Sequence, residues 1–237
     1  MTELPEKFTS IRDFYDNEYY LHRSGDRELP WHCRLVGARL GQMRGLNVLD
    51  VACGTGEWLA FFRQRGANIT GIDLSTKAID ECRRRFAYGE FHCGPAEDLP
   101  FEDASFDVVT CMGSLEHFID KPRALREMKR VAKPRATLVL LVPNAGFLTR
   151  RLGLYKGTQQ IKAKEDVLEL SEWEKMFLEE GLRVRAKWRD LHPLSWRWIS
   201  QGHFLFWPMR ALQALALSTW PISWQYQVYH CCDIIDD

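Results

Sequence analysis

Thirty-two lysines and arginines balance thirty-two aspartates and glutamates in this chain of 237 residues, so no global field favours nucleic acid or an anionic surface. The length suits one α/β domain with elaborations and a sizeable core. Seven scattered cysteines, odd in number and without C-x-x-C spacing, and the absence of a signal-peptide pattern at Met1-Thr2-Glu3 lead to the expectation of a reduced, cytoplasmic protein.

The chain begins with an aromatic-rich stretch up to Arg44 that holds Phe14-Tyr15, Tyr19-Tyr20 and Trp31-His32. These rings either cover one edge of the core or reach a bound ligand. From Val48 a short β-branched and leucine run reads as a strand ending in Asp50, followed by a loop of small residues up to Gly56 and an amphipathic helix from about Glu57. Glycines there permit a tight turn and leave no Cβ between main chain and ligand. A phosphate-cradling loop would need Gly-Lys-Ser/Thr, which is missing, and a dinucleotide fingerprint would need glycine where Leu59 stands. A second strand, Ile69 to Leu74, carries Asp73 roughly 20 residues past the loop, the spacing at which such folds place a ribose-binding carboxylate.

Further along come Ala96-Glu97-Asp98-Leu99-Pro100-Phe101, a strand over Ser105–Met112, and Leu115-Glu116-His117-Phe118. A helical stretch over Ala124–Pro134 then leads to a strand over Thr137–Pro143. Short apolar strands alternating with helical patterns imply a parallel sheet with right-handed crossovers. Ligands bind such sheets beyond the carboxyl ends of the strands, so the groups from Asp50, Asp73, Glu97 and Met112 onward should converge on one cleft.

This series, from Asn47 to Asn144, resembles the class I S-adenosylmethionine (SAM) methyltransferases. D-x-A-C-G-T-G is similar to their first motif, and the later elements follow in the family's order. The resemblance implies a Rossmann-like, seven-stranded, mostly parallel sheet flanked by helices, with an N-terminal helical cap (1–44), a SAM-binding core (45–144) and a C-terminal, substrate-side part (145–237). It implies SAM as cofactor and S-adenosylhomocysteine as product. Asp50, Ala52, Gly54, Thr55 and Gly56 would wrap the methionine part, with Asp73 and Leu74 at the ribose. Glu97, Asp98 and Leu99 would lie at the adenine, Asp98 being favoured for its amino group, with Met112 and Gly113 at the mouth of the fourth strand. Tyr20 and Tyr15 are the cap residues expected to touch the cofactor. One departure is Lys133-Pro134-Arg135-Ala136, where relatives have glycines, so this turn must take another form.

In the last third, Ser171 reads as the N-cap of a helix running to Gly181, and Leu182–Asp190 alternates like a strand with one wet face. The last strand is expected over 225–235, antiparallel as in the family. Between them lies an insert, 191–224, that with Trp188 at its edge holds six of the nine tryptophans. Its apolar run, Phe204 to Leu217, is too short and too interrupted to span a bilayer. It is a helix packed on the sheet, a lid over the substrate, or a peripheral membrane contact through 204–224. Cys231-Cys232 reads as a pair of small core residues rather than a soft-metal site, and no metal is expected.

SAM carries an electrophilic methyl group, so the protein must align the acceptor, exclude water and, for a hydroxyl, remove a proton. His117 is the candidate base and Glu116 its candidate partner, with His22, His192 and His203 behind them. The expected activity is transfer of a methyl group to a small-molecule, lipid- or saccharide-type acceptor, with an oxygen acceptor favoured and no nucleic-acid partner. N- or C-methylation, or a non-catalytic SAM-binding regulator, are the alternatives.

Overall fold

In a computed structural model the described residues are 6–20, 28–151, 153 and 166–235. Seven strands form one sheet: β1 (Asn47–Val51), β2 (Asn68–Asp73), β3 (Glu90–Cys93), β4 (Phe106–Met112), β5 (Ala132–Pro143), β6 (Leu182–Arg189) and β7 (Gln227–Ile234). Their order is β3-β2-β1-β4-β5-β7-β6. β1 to β5 are parallel, whereas β7 runs antiparallel to both β5 and β6. The strand order reverses between β1 and β4, and at such a switch point the crossover helices leave on opposite faces and open a crevice.

The helices follow from capping and burial. α1 (Glu6–Phe14) runs into a π-helical turn (Tyr15–Tyr19), and α2 (Trp31–Ala38) precedes β1. α3 (Glu57–Gln64) buries Leu59, Phe61 and Phe62, and α4 (Thr76–Arg85) is capped by Ser75, whose Oγ accepts the Ala78 N–H. α5 (Lys121–Val131) starts at Asp120, whose side chain accepts the Arg123 N–H, with Pro122 in the first turn where no donor is needed. α6 (Leu148–Arg151) is a single turn. α7 (Leu170–Glu179) is capped two residues earlier than the expected N-cap Ser171. Its N-cap is Glu169, whose N–H donates to the Glu172 carboxylate at 2.7 Å, and the earlier start lets Leu170 reach the core. Gly181, at φ 79°, ends it as expected.

The main core lies between the sheet and α5 and α7, with Leu49, Val109, Leu125, Met128, Leu140, Trp173 and Phe177 all inaccessible to solvent. The Trp173 indole also donates to the Pro143 carbonyl at 2.8 Å. A second cluster, built on Phe62, Ile79 and Val48, packs α3 and α4 on the other face.

The glycine-poor segment Lys133-Pro134-Arg135 makes no separate turn. β5 starts directly at Ala132 opposite Phe106, the register slips before Val108, and Lys133 Nζ pairs with Asp107 Oδ1 at 2.8 Å. Cys231 and Cys232 are buried in β7, Cys232 inside the main core.

The insert contains α8 (Trp196–Ile199) and α9 (Trp207–Thr219), with short 3-10 turns at His192–Leu194, Phe204–Phe206 and Ile222–Trp224. α9 is not laid on the sheet; it packs mainly on the 192–199 turns and fully buries only Ala214. No helix among the described residues is long and apolar enough to cross a membrane.

Candidate functional site

At the carboxyl ends of β1, β2 and β4 the chain leaves a cleft of about 870 Å³. Its floor is Ala52, Ile72, Asp73 and Leu74, one wall is Gly94 to Glu97 and the other Gly113 to Ile119. The roof comes from the N-terminal cap, through Phe8, Ile11, Phe14, Tyr15, Tyr19 and Tyr20. A second cavity of about 730 Å³ adjoins it and shares Ile11, Phe14, Tyr15, His117, Phe118 and Ile119.

Asp73, the last residue of β2, is buried and lies in the first cleft. Its Oδ2 accepts the Gly54 N–H at 2.8 Å and its Oδ1 the Ser75 N–H at 2.9 Å, so the glycine loop and the start of α4 are tied to one carboxylate. Burial pushes its pKa up to about 6, although the Ser75 and Gly54 hydrogen bonds pull the other way. Asp50 sits behind it, 2% exposed, with the Thr110 hydroxyl 2.6 Å from its Oδ1. Burial raises Asp50 to about 7, opposed by Thr110 and aided by the charge of Asp73.

The two loop glycines do different work. Gly54, at φ 55°, presents its open side to the cap: a Cβ there would stand 3.0 Å from the Tyr20 hydroxyl. Gly56, at φ 81°, faces inward, and a Cβ would collide with Phe86 at 2.7 Å. Thr55 is buried too, its hydroxyl on Glu57 and its carbonyl on Arg85. Gly54 thus lies against the cap and Gly56 against the packing of α4.

The cap is fastened at the same place. Asp16 accepts the hydroxyls of Ser75 at 2.5 Å and Thr76 at 2.6 Å, and the Lys77 N–H at 3.3 Å, at the positive end of α4. Burial works against the charge of Asp16, but these hydrogen bonds hold its pKa below the ordinary value. Tyr20, half-buried beside Asp73, has its phenol pushed far up by burial and by that carboxylate.

Of the residues expected from sequence, the cleft brings together Tyr20, Tyr15, Ala52, Asp73, Leu74, Glu97, Gly113, Glu116 and His117. Asp50, Gly54, Thr55, Gly56, Asp98, Leu99 and Met112 do not line it. Asp98 is exposed, because the turn after Pro95 sends Glu97 inward instead. Glu97 is buried and accepts the N–H groups of Ile119 and Asp120 at 2.9 and 3.2 Å, which holds the loop after β4 in place. Leu99 packs in the main core with its N–H on Glu127, and Met112 packs towards Leu141 and Tyr229. His203 N-caps a 3-10 turn of the insert, His192 lies against His32, and neither reaches the cleft; His22 is outside the described residues. Phe8, Ile11, Ser114, Gln201 and Tyr226 line the cleft with no sequence motif to announce them. No group of three metal-ligating side chains occurs among the described residues.

The sequence profile of the methyltransferase domain matches residues 49–140, the stretch that builds the floor and both walls of this cleft. Over these residues the chain is similar to the methyltransferase domain family.

It is 37% identical over 152 residues to the demethylmenaquinone methyltransferase of Thermotoga maritima, covering 61% of this chain and 65% of that protein. The malonyl-[acyl-carrier protein] O-methyltransferase of Pectobacterium atrosepticum is 32% identical over 147 residues, covering 62% of this chain and 55% of that protein. The chain therefore matches less than two thirds of the length of these relatives. In fold it is similar to the geranyl diphosphate C-methyltransferase of Streptomyces coelicolor, solved with S-adenosylhomocysteine, at a TM-score of 0.68 and 17% identity over 98% of this chain and all of that one.

The residues present fit the family's cofactor. A carboxylate held by two N–H groups at the end of β2 keeps lone pairs for ribose hydroxyls, and Ile72, Leu74, Ala96 and Phe118 give an apolar bed for a flat base. About 870 Å³ is ample for a nucleoside of this size.

Proposed function

We propose that the protein transfers the methyl group of SAM to a hydroxyl of a small-molecule or lipid- or saccharide-type acceptor that carries an apolar portion, acting in the cytoplasm. When bound, SAM supplies an electrophilic methyl carbon with a neutral thioether as leaving group. Asp73 and the Gly54 loop hold the nucleoside, and the cap closes water out. His117, in the 3-10 turn after β4, faces both cavities. It takes the acceptor's proton as the oxygen–methyl bond forms and the sulfur–methyl bond breaks, and releases it to solvent afterwards. Glu116, buried next to it, orients the turn.

The observation that carries the reading is that His117 lines both cavities, the first with Asp73 in its floor and the second with Ile11, Phe14 and Phe118 beside polar groups such as Asp13 and Asn17, which suits an acceptor with both an apolar and a polar part. The test is incubation with methyl-labelled SAM and a cell extract, followed by partition between organic solvent and water. Label in the organic phase is expected; label confined to water would refute the apolar acceptor. Absence of transfer to any extract, with the nucleoside still bound by calorimetry, would refute the enzymatic reading.

A further inference from the structure

The insert carries a surface that the cleft does not use. Fourteen large apolar residues of the described chain are exposed, and nine of them fall between Trp196 and Tyr226. Leu205, Met209 and Leu212 follow one another down one face of the segment that becomes α9, and Leu212 and Leu215 extend it; they are 70%, 60%, 70% and 57% exposed. Phe204 and Phe206 flank them at 60% and 56%. A continuous face of this kind on a monomer marks a place where something docks.

Charge and chemistry select the occupant. Between Asp190 and Asp233 the sequence has no aspartate or glutamate, only Arg197, Arg210 and three histidines. In a chain of balanced charge this is a long acid-free stretch. Arg210, the sole charge on α9, lies 4.3 Å over the Trp198 ring and donates to the Trp198 carbonyl at 2.6 and 3.1 Å. It therefore reinforces the insert from within, and the exposed Arg197, with no acidic residue in this stretch to offset it, is the cation that an anionic surface would meet. Trp196 and Trp224, both exposed, flank the helix in sequence and are rings of the kind that settle between headgroup and chain. The segment also connects to the cleft at both ends: Gln201 lines it just before Phe204, and Tyr226 and Gln227 line it just after Trp224.

We infer that the outer face of α9 and the preceding turn docks on an anionic lipid bilayer, lying in the interface without crossing it, and turns the mouth of the cleft towards the membrane. The surface itself stands independently of the reaction. Its meaning for the acceptor rests on the methyl-transfer reading, and there it narrows the acceptor to an amphiphile whose head group can be lifted from the bilayer.

The test is flotation of the full chain with phosphatidylcholine vesicles, with and without phosphatidylglycerol. Binding about tenfold tighter to the anionic vesicles is expected, and its loss in Leu205→Glu/Leu212→Glu and in the uncharged Leu205→Ser/Leu212→Ser. Both positions are far exposed, so thermal melting and S-adenosylhomocysteine affinity should stay unchanged. Equal binding to neutral and anionic vesicles would overturn the inference, as would no vesicle binding by the parent chain. A dimer in light scattering that the serine variant breaks, without vesicle binding, would assign the face to a second copy instead. S-adenosylhomocysteine affinity and methyl transfer to an extract are read separately, so a failed reaction and a failed docking surface are told apart.

Discussion

Binding of SAM should release protons near pH 6, because Asp73 in the cleft floor and Asp50 behind it have their carboxyl pKa values raised, chiefly by burial. Asp73 has been pushed up to about 6 and Asp50 to about 7 from an ordinary 3.8. SAM brings a sulfonium and an ammonium, and ribose hydroxyls donate to Asp73, so each carboxylate binds better charged. If the ligand returns Asp73 alone to its ordinary range, affinity rises roughly tenfold between about pH 5 and pH 7. If Asp50 follows, the rise up to about pH 8 approaches a thousandfold in all, of which Asp50 contributes roughly a hundredfold. Calorimetry at pH 6 in buffers of different ionisation enthalpy measures the protons directly. A binding heat that does not depend on the buffer, with affinity flat across this range, would refute the assignment of both carboxylates.

The same pKa values have a consequence for the ligand-free protein. A folded pKa above the unfolded one gives stability that is complete below about pH 4 and lost as pH rises through about 6 and about 7. Mutating Asp50 to Asn should therefore raise the melting temperature at pH 8 more than at pH 5. Asp73→Ala should weaken S-adenosylhomocysteine at least about tenfold through lost charge-assisted hydrogen bonds; unchanged affinity by calorimetry would rule the role out. His117→Ala should depress turnover about a hundredfold or more with little effect on nucleoside affinity, and near-normal turnover at saturating acceptor would mean another group takes the proton. Gly56→Ala, forced into Phe86 at a left-handed φ, should cost about 1–3 kcal/mol in denaturant unfolding, whereas Gly41→Ala, with open space around it, pays only the backbone term.

Sequence periodicity located β1, β2, β4, β5, β6 and β7 within a residue or two, except for the early start of β5, because each buries a continuous or alternating apolar face. β3 stayed hidden: Glu-Phe-His-Cys is four residues long and buries one side chain. Asp73 was legible because a strand end fixes where its side chain points. Glu97 and Asp98 were not separable, since their directions depend on a turn, and the structure turns in the one that was not favoured. The ring-lined roof was only half legible, as Tyr15 and Tyr20 stand in an aromatic cluster while Phe8 and Ile11 belong to an ordinary-looking helix. Asp16 gave no signal at all, because its partners lie 59 to 61 residues away along the chain.

The fastening of the cap by Asp16 bears on the order of events. Ser75 and Thr76, which hold Asp16, follow directly on the Asp73-Leu74 pair that floors the nucleoside cleft. Opening that clasp would widen the way in for a molecule as large as a nucleoside, whereas the second cavity is lined by Asp13, Asn17 and Asp166. Steady-state kinetics should accordingly be sequential and ordered, with the nucleoside first in and last out, and loosening the clasp should speed its departure without touching the acceptor's path.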